Sequence, residues 1–423
     1  MTLSSMPPES MLNETSSSSI ATPLGAAGGS AHRFSPLMRA MLALSGRLSV
    51  GRLTIRFPDG SSRVIAGSEP GPEAVLEIQR NRLARRFLFG GNLGFCEAYL
   101  DGDWTSPDVA ALFTYFLRNE AGIEQAMNGP AWSRGLQRLL HRLRPNNRRG
   151  ARRNIARHYD LGNAFYGAWL DPSLTYSAAV FAGPDEDLAA AQRRKYALLA
   201  QRLDLRPCHR LLEIGCGWGG FARFAATEIG AAVTAVTISR EQFDLVRKDI
   251  FENGLSGKIE VRLQDYRDIG GSFDRIASIE MLEAVGEAYW PVFFDRLRQR
   301  LVPGGRAALQ VITIDDRLFD TYRAGADYIQ KYIFPGGMLP SPSALRHQVA
   351  AAGLRLLEIE GYGPHYARTL RLWNDRFQAA WPAIEAMGFD TRFKRMWEQY
   401  LAYCAAGFDV GTIDLQQFSL ARD

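Results

Sequence analysis

The stretch "LLEIGCGWGGFA", Leu211 to Ala222, runs from an apolar segment into glycines at 215, 217, 219 and 220. Glycine permits positive φ and, having no Cβ, lets a ligand approach the backbone. The pattern that follows narrows the fold. "RLLEIG" precedes a helix predicted to begin near Gly219, "AVTAVTIS" precedes "REQFDLVRKDIFENG", and "IEVRLQDY", "FDRIASIEML" and "GGRAALQVITI" come next. Apolar strands alternating with helices predict an α/β, Rossmann-like doubly wound sheet with right-handed crossovers, whose ligands collect at the carboxyl ends of the strands. A glycine loop alone does not choose the ligand. A dinucleotide fold favours G-x-G-x-x-G and an acid at the end of the next strand. Here the spacing is Gly215-x-Gly217-x-Gly219-Gly220 and Thr237 stands at the acid's place, which disfavours NAD.

Upstream, residues 1–33 are rich in Ser, Pro, Gly and Ala and read as a disordered tail without a secretory signal. "SPLMRAMLALSGRL" reads as an amphipathic helix, and "GRLTIRFPDGSSRVIAG" as a hairpin turning at Pro58-Asp59-Gly60. With the strand-then-helix segment after them they form a smaller N-terminal α+β domain over 34–130. A linker over 131–157 separates it from a catalytic domain over 158–423. Within the linker, Arg134 to Arg157 holds nine arginines and no Asp or Glu, although the whole chain sums only to +5. Its leucines at helical intervals make a basic amphipathic helix as far as Pro145. An anionic lipid surface suits it first; a solvated linker is the bland alternative, and nucleic acid is disfavoured because no aromatic interleaving or nucleic-acid motif accompanies the charge. The scattered Cys96, Cys208, Cys216 and Cys404 show neither metal-ligand nor disulfide spacing, which fits a reducing cytoplasm and predicts no metal. No run approaches the roughly 20 apolar residues of a membrane span.

"LLEIGCGWGG", "VTAVTISREQ", "LQDYRD", "DRIASIEMLEAVG" and "PGGRAALQVITI" resemble the class I S-adenosylmethionine-dependent methyltransferases. With "HYDLGNAFYGAWLDPSLTYS", "KYIFPGGMLPS" and "HYARTLRLW" the chain is more narrowly similar to the cyclopropane-fatty-acyl-phospholipid synthase and mycolic acid cyclopropane synthase family, over roughly 155 to 410. The resemblance implies S-adenosylmethionine as cofactor. Tyr176 and Ser177 would close over its methionine part and Gly215 and Gly217 would lie beneath it. Thr237 and Gln242 would contact the adenosine, and Asp265 and Tyr266 would hold and stack the adenine.

It also implies the reaction: methyl transfer to an unactivated alkene in an acyl chain, leaving a carbocation that needs electron-rich walls, exclusion of water and a base. Tyr159, Phe165, Tyr166 and Trp169, with Trp373, Phe377 and Trp381, supply aromatic rings; a stripe at helical spacing is as readily core as tunnel wall. Family members resemble one another in binding bicarbonate through a Cys, a Glu, a His, an Ile backbone and a Tyr. Glu283, Ile312 and Tyr366 match three of these positions, whereas Ala178 replaces the Cys and Gln310 the His. Bicarbonate as the base is therefore left open. Glu283 is the favoured carboxylate and Glu280 a weaker one.

The expected function is methylene transfer to an unsaturated acyl chain of a membrane phospholipid, giving a cyclopropane fatty acid. The expected setting is cytoplasmic, at the membrane's inner face, with a homodimer implied by the family. Ala178 and Gln310 prompt a rival, methylation giving a methyl-branched or methylene product without ring closure. A further rival is a lipid-binding paralogue that has lost its chemistry.

Overall fold

The computed structural model describes residues 34–120, 161–325 and 327–423. The N-terminal tail, the basic segment Arg134 to Arg157 and Tyr159 lie outside the described residues.

Two sheets organise the chain. The first has the order β2-β1-β3-β4, from β1 (Val50–Arg56), β2 (Ser62–Ala66), β3 (Glu69–Ile78) and β4 (Trp104–Thr105). The predicted hairpin forms between β1 and β2. The chain then crosses beneath the start of β1 and returns as β3, parallel to β1 on its other side. Gly67 makes that crossing, where any Cβ would strike the Ser49 carbonyl. Helices α1 (Pro36–Leu44, its N-terminus capped by the Ser35 hydroxyl), α2 (Arg82–Leu100) and α3 (Val109–Arg118) complete this part.

The second sheet has the order β10-β11-β9-β8-β5-β6-β7. Its strands are β5 (Arg210–Ile214), β6 (Ala232–Thr237), β7 (Ile259–Leu263), β8 (Phe273–Ile279), β9 (Leu301–Ile314), β10 (Arg355–Gly361) and β11 (Ile413–Ala421). Strands β5 to β9 run parallel, and β11 is antiparallel to both its neighbours. The central β5 and β8 are nearly all buried, as strands covered on both faces should be. Strand order reverses between β5 and β8, and an open α/β sheet takes its ligand at that reversal, beyond the strand ends. Both the glycine turn after β5 and the Glu280–Glu283 turn after β8 lie there.

Helices α4 (Asn163–Gly167), α5 (Leu188–Arg202), α6 (Gly220–Phe224), α7 (Arg240–Glu252), α8 (Trp290–Arg300), α9 (Asp316–Arg323) and α10 (Pro342–Ala351) accompany this sheet, with two long C-terminal helices, α11 (Gly363–Ala386) and α12 (Thr391–Val410). Asp187 caps α5 and Ser239 caps α7 through side-chain oxygens that accept first-turn amides. One apolar core runs from the small sheet through α12 to the aromatic side chains of α4 and α11. Trp373, Phe377 and Trp381 are all buried in it. Trp373 meets Trp169 and Tyr176, and Phe377 meets Phe165, so the stripe packs as core.

Candidate active site

A cleft of about 1160 Å³, counting its open mouth, lies over the carboxyl ends of β5, β6 and β8. Gly215, Gly217, Thr237, Gln242, Asp265, Tyr266, Tyr176 and Ser177 all line it, so the eight residues expected at the cofactor come together. Gly215 holds a φ of +79°, and a Cβ there would lie 2.6 Å from the Met281 Cγ. Only glycine fits both conditions.

Thr237 Oγ1 donates to Gln242 Oε1 at 2.7 Å, with both side chains buried at the end of β6. Asp265 is already engaged: Arg267 donates to its two oxygens at 2.8 and 2.6 Å. The Arg267 guanidinium also stands 5.5 Å from the Tyr266 ring centre and 5.6 Å from that of Tyr289. On the other wall, Tyr176 and Tyr400 share a hydroxyl–hydroxyl bond of 2.8 Å. Ser177 accepts from Lys195 Nζ through its hydroxyl at 2.7 Å and from Gln192 Nε2 through its carbonyl at 2.8 Å.

Glu213, the acid in the apolar strand β5, lines the same cleft, and burial pushes its carboxyl up to about 8. One of its oxygens is buried without a partner. A buried, orphaned carboxylate oxygen in a cleft lacks the cation or donor that would satisfy it. The amino group of S-adenosylmethionine meets that need, and the polar residues at the ends of β6 and β7 suit its adenosine, so the residues present fit the cofactor.

Beyond the glycine turn the carboxylates are arranged differently from the sequence expectation. Glu280 takes a positive φ of +49°, which turns its side chain toward α11 and β9. Its Oε1 accepts from the Ala178 amide at 2.9 Å and from Gln310 Nε2 at 2.8 Å, and its Oε2 accepts from the Tyr366 hydroxyl at 2.6 Å. Gln310 is itself oriented by Gln417, which donates to its Oε1 at 2.9 Å. Glu283 receives one bond, from the Ile312 amide at 2.5 Å, and its other oxygen has no partner. Ala178, Gln310 and Tyr366, which the resemblance implies around a bound bicarbonate together with Glu283 and Ile312, meet the Glu280 carboxylate, and the Ile312 amide bonds Glu283.

Burial raises the affinity of both carboxylates for a proton. For Glu280 the hydroxyl of Tyr366, the charge of Lys195, Gln310 and the Ala178 amide oppose that rise. For Glu283 the charge of Glu280 adds to it, and the carboxyl is pushed up to about 8. The groups around Glu280 thus favour its charged form, whereas the neighbouring Glu280 disfavours charge on Glu283.

Sequence reasoning passed over Glu213, Lys195 and Arg267. Glu213 left a signal, as an acid within an otherwise apolar strand directly before the glycines. Arg267 stands inside the quoted "LQDYRD". Lys195 left none, since a lysine among the arginines of "AQRRKYALL" reads as a solvated face.

The sheet order and the cleft at its reversal define a class I S-adenosylmethionine-dependent methyltransferase. The chain belongs to the mycolic acid cyclopropane synthetase family, whose model matches residues 146–418. It is 38% identical over 410 residues to the tuberculostearic acid methyltransferase UfaA1 of Mycobacterium tuberculosis, covering 92% of this chain and 93% of that one. To the cyclopropane-fatty-acyl-phospholipid synthase of Escherichia coli it is 36% identical over 361 residues, covering 85% and 90%. The solved structure of mycolic acid cyclopropane synthase CmaA1 complexed with SAH and CTAB superposes with a TM-score of 0.61 at 30% identity, over 64% of this chain and 97% of that one. The protein is thus a S-adenosylmethionine-dependent enzyme that transfers a one-carbon unit to lipid acyl chains.

Proposed function

We propose that the protein methylates the double bond of an unsaturated phospholipid acyl chain and that Glu280 removes the proton that completes the reaction, giving an open-chain product that carries a methylene branch or a methyl-branched double bond. The observation that carries this reading is the Glu280 carboxylate, held by the Ala178 amide, Gln310 and Tyr366. These are the positions at which the family resemblance implies a bound anion. A carboxylate belonging to the chain stands in its place.

S-adenosylmethionine would supply an electrophilic methyl: the alkene π pair takes it as the carbon–sulfur bond breaks, with S-adenosylhomocysteine as the leaving group. The acyl chain is left with a cation on the neighbouring carbon. Glu280, ionised and fixed by three donors, lowers the energy of that cation and accepts a proton from it. Loss of the proton from the new methyl onto Glu280 while the pair closes on the cation gives a cyclopropane. A hydride shift from the methylated carbon followed by loss of a methyl proton gives a methylene branch. Tyr176, half buried against Trp169 and Trp373, keeps this wall aromatic and dry.

The match to the tuberculostearic acid methyltransferase over 92% of this chain supports the open-chain outcome. The match to the E. coli synthase supports ring closure as the second reading. The basic segment Arg134 to Arg157 supplies charge for docking on an anionic membrane from the cytoplasmic side, at about 1 kcal/mol per Lys or Arg near the surface. A homodimer completes the proposal.

The test is incubation with labelled S-adenosylmethionine and monounsaturated phospholipid vesicles, with the acyl products read by mass spectrometry and proton NMR. A methylene or methyl-branch signal without upfield ring protons supports the open-chain reading. Ring protons would establish the cyclopropane instead, and an unchanged acyl mass would overturn acyl methylation of phospholipid.

A further inference from the structure

Lys195 is a buried cation for which the reaction so far has no use. It lies on the inner face of α5 at 0% exposure. Its Nζ donates to the Ser177 hydroxyl at 2.7 Å and stands 4.7 Å from the centre of the Tyr196 ring. Ser177 is joined directly to Ala178, whose amide donates to Glu280. Gln192, one turn before Lys195, holds the Ser177 carbonyl, and the next side chain, Tyr196, bonds the Thr175 hydroxyl. Three side chains of one helix face thus fasten residues 175–177, which wall the cofactor cleft.

Neutral donors would be enough for fastening, and removing an ammonium from water is expensive unless nearby opposite charge offsets the cost. The charges facing Lys195 are Glu280 beyond β8, Glu213 on β5 and Asp171 in the loop before Ser177. Those facing Glu280 are Lys195 and Glu283, with the hydroxyl of Tyr366 and the amide of Gln310. Among the described residues, Lys195 is the cation whose charge acts on Glu280.

We propose that Lys195 is a positioning residue for Glu280: its bond to Ser177 fixes the segment that presents the Ala178 amide to that carboxylate, and its buried positive charge favours the negative charge there. The proposal rests on Glu280 being the base. Burial brings the Lys195 ammonium down to about 8, and Glu280, Asp171 and Glu213 oppose that fall.

The experiment compares the full-length enzyme with Lys195→Gln, Lys195→Met and Lys195→Arg in two readouts. One is the infrared carboxyl band of Glu280, assigned by its loss in Glu280→Gln and titrated without substrate. The other is the pH profile of methyl transfer to unsaturated phospholipid vesicles. Glutamine retains a donor for Ser177 without charge, and methionine fills the same buried length should a stranded amide prevent folding. An opposite charge close by shifts a carboxylate by about one to three pH units. The expected result is an upward move of about one unit, in both the band's titration and the acid limb of the profile, for the Gln and Met variants, with Arg holding the wild-type position. A uniform loss of rate at every pH with the band unmoved would overturn the proposal and leave Lys195 a packing residue. Full activity in Glu280→Gln would remove the base reading itself, an outcome distinct from an unmoved band.

Discussion

Replacing Glu280 by glycine separates an internal base from an exchangeable one. The backbone there has φ +49°, a left-handed conformation that costs a residue with a side chain about 1–2 kcal/mol and glycine very little. Glu280→Gly is therefore expected to fold and to bind S-adenosylhomocysteine as the parent does. Its loss strands three donors, the Ala178 amide, Gln310 Nε2 and the Tyr366 hydroxyl, which all point at the space the carboxylate filled. An unsatisfied buried donor costs about 1–3 kcal/mol, so the cavity should take up a small planar anion. Losing a general base costs about 10²–10⁴ in rate. In carbon dioxide-free buffer the variant should fall by that factor, and formate or bicarbonate should restore much of it with saturable dependence. The parent should be indifferent to bicarbonate. The assay is initial-rate transfer of labelled methyl to vesicle acyl chains, with calorimetry of S-adenosylhomocysteine binding to show that the site is intact. Wild-type rates for Glu280→Gly without bicarbonate, or a parent that stops when bicarbonate is removed, would refute the reasoning.

Tyr366→Phe removes one donor to the Glu280 carboxylate. A hydrogen bond to a charged group is worth about 1.5–3 kcal/mol, so at 1.36 kcal/mol per pH unit the acid limb of the rate profile should move up by about one to two units, with the plateau above it kept. Glu283 carries a folded value of about 8, above its value in the unfolded chain, so its contribution to stability is complete below the unfolded value and is lost as pH rises through 8. Denaturant unfolding without cofactor should show stability falling from pH 6 to 8.5, less steeply in Glu283→Gln; equal slopes would argue against a protonated Glu283. Gly215→Ala combines a positive φ with a Cβ 2.6 Å from the Met281 Cγ. The backbone term alone is about 1–2 kcal/mol, so a lower unfolding midpoint and weaker S-adenosylhomocysteine binding are expected, the first read by denaturation and the second by calorimetry.

The parallel strands β5 to β9 were legible because their signals are local: each centres on a run rich in apolar residues, and most residues lining the cofactor cleft follow β5, β6, β7 and β8 directly in sequence. Strands β10 and β11 carry more polar residues and were not read. What could not be read is set by partners remote in the chain. Glu280 looked secondary to Glu283 because nothing near it in sequence discloses that Ala178, Gln310 and Tyr366 meet there. Only the positive φ at Glu280 turns its carboxylate toward them. Lys195 is hidden for the same reason, since its burial depends on Ser177 and on carboxylates carried by two strands. In the small sheet, the sequence shows the β1–β2 hairpin but not that β3 returns on the far side of β1, a crossing that depends on close backbone approach at Gly67.

The partition of charge between Glu280 and Glu283 bears directly on the product. If both were ionised, their repulsion would raise the proton affinity of each, and the base would belong to the pair. The partners work against this: Tyr366, Lys195, Gln310 and the Ala178 amide favour charge on Glu280, while Glu283 has backbone amides alone and, among the described residues, an oxygen with no partner. As the proposed base, Glu280 is fixed in position by its three donors, whereas a freely bound anion can shift to follow the cation. A fixed base takes the proton that the bound chain presents to it and makes the depth of the double bond in the cleft decisive. Chains whose double bond stops at different depths should present different protons to Glu280. The ratio of ring to open-chain product should then change with double-bond position in one enzyme, and a ratio that stays constant across positional isomers would count against a fixed base.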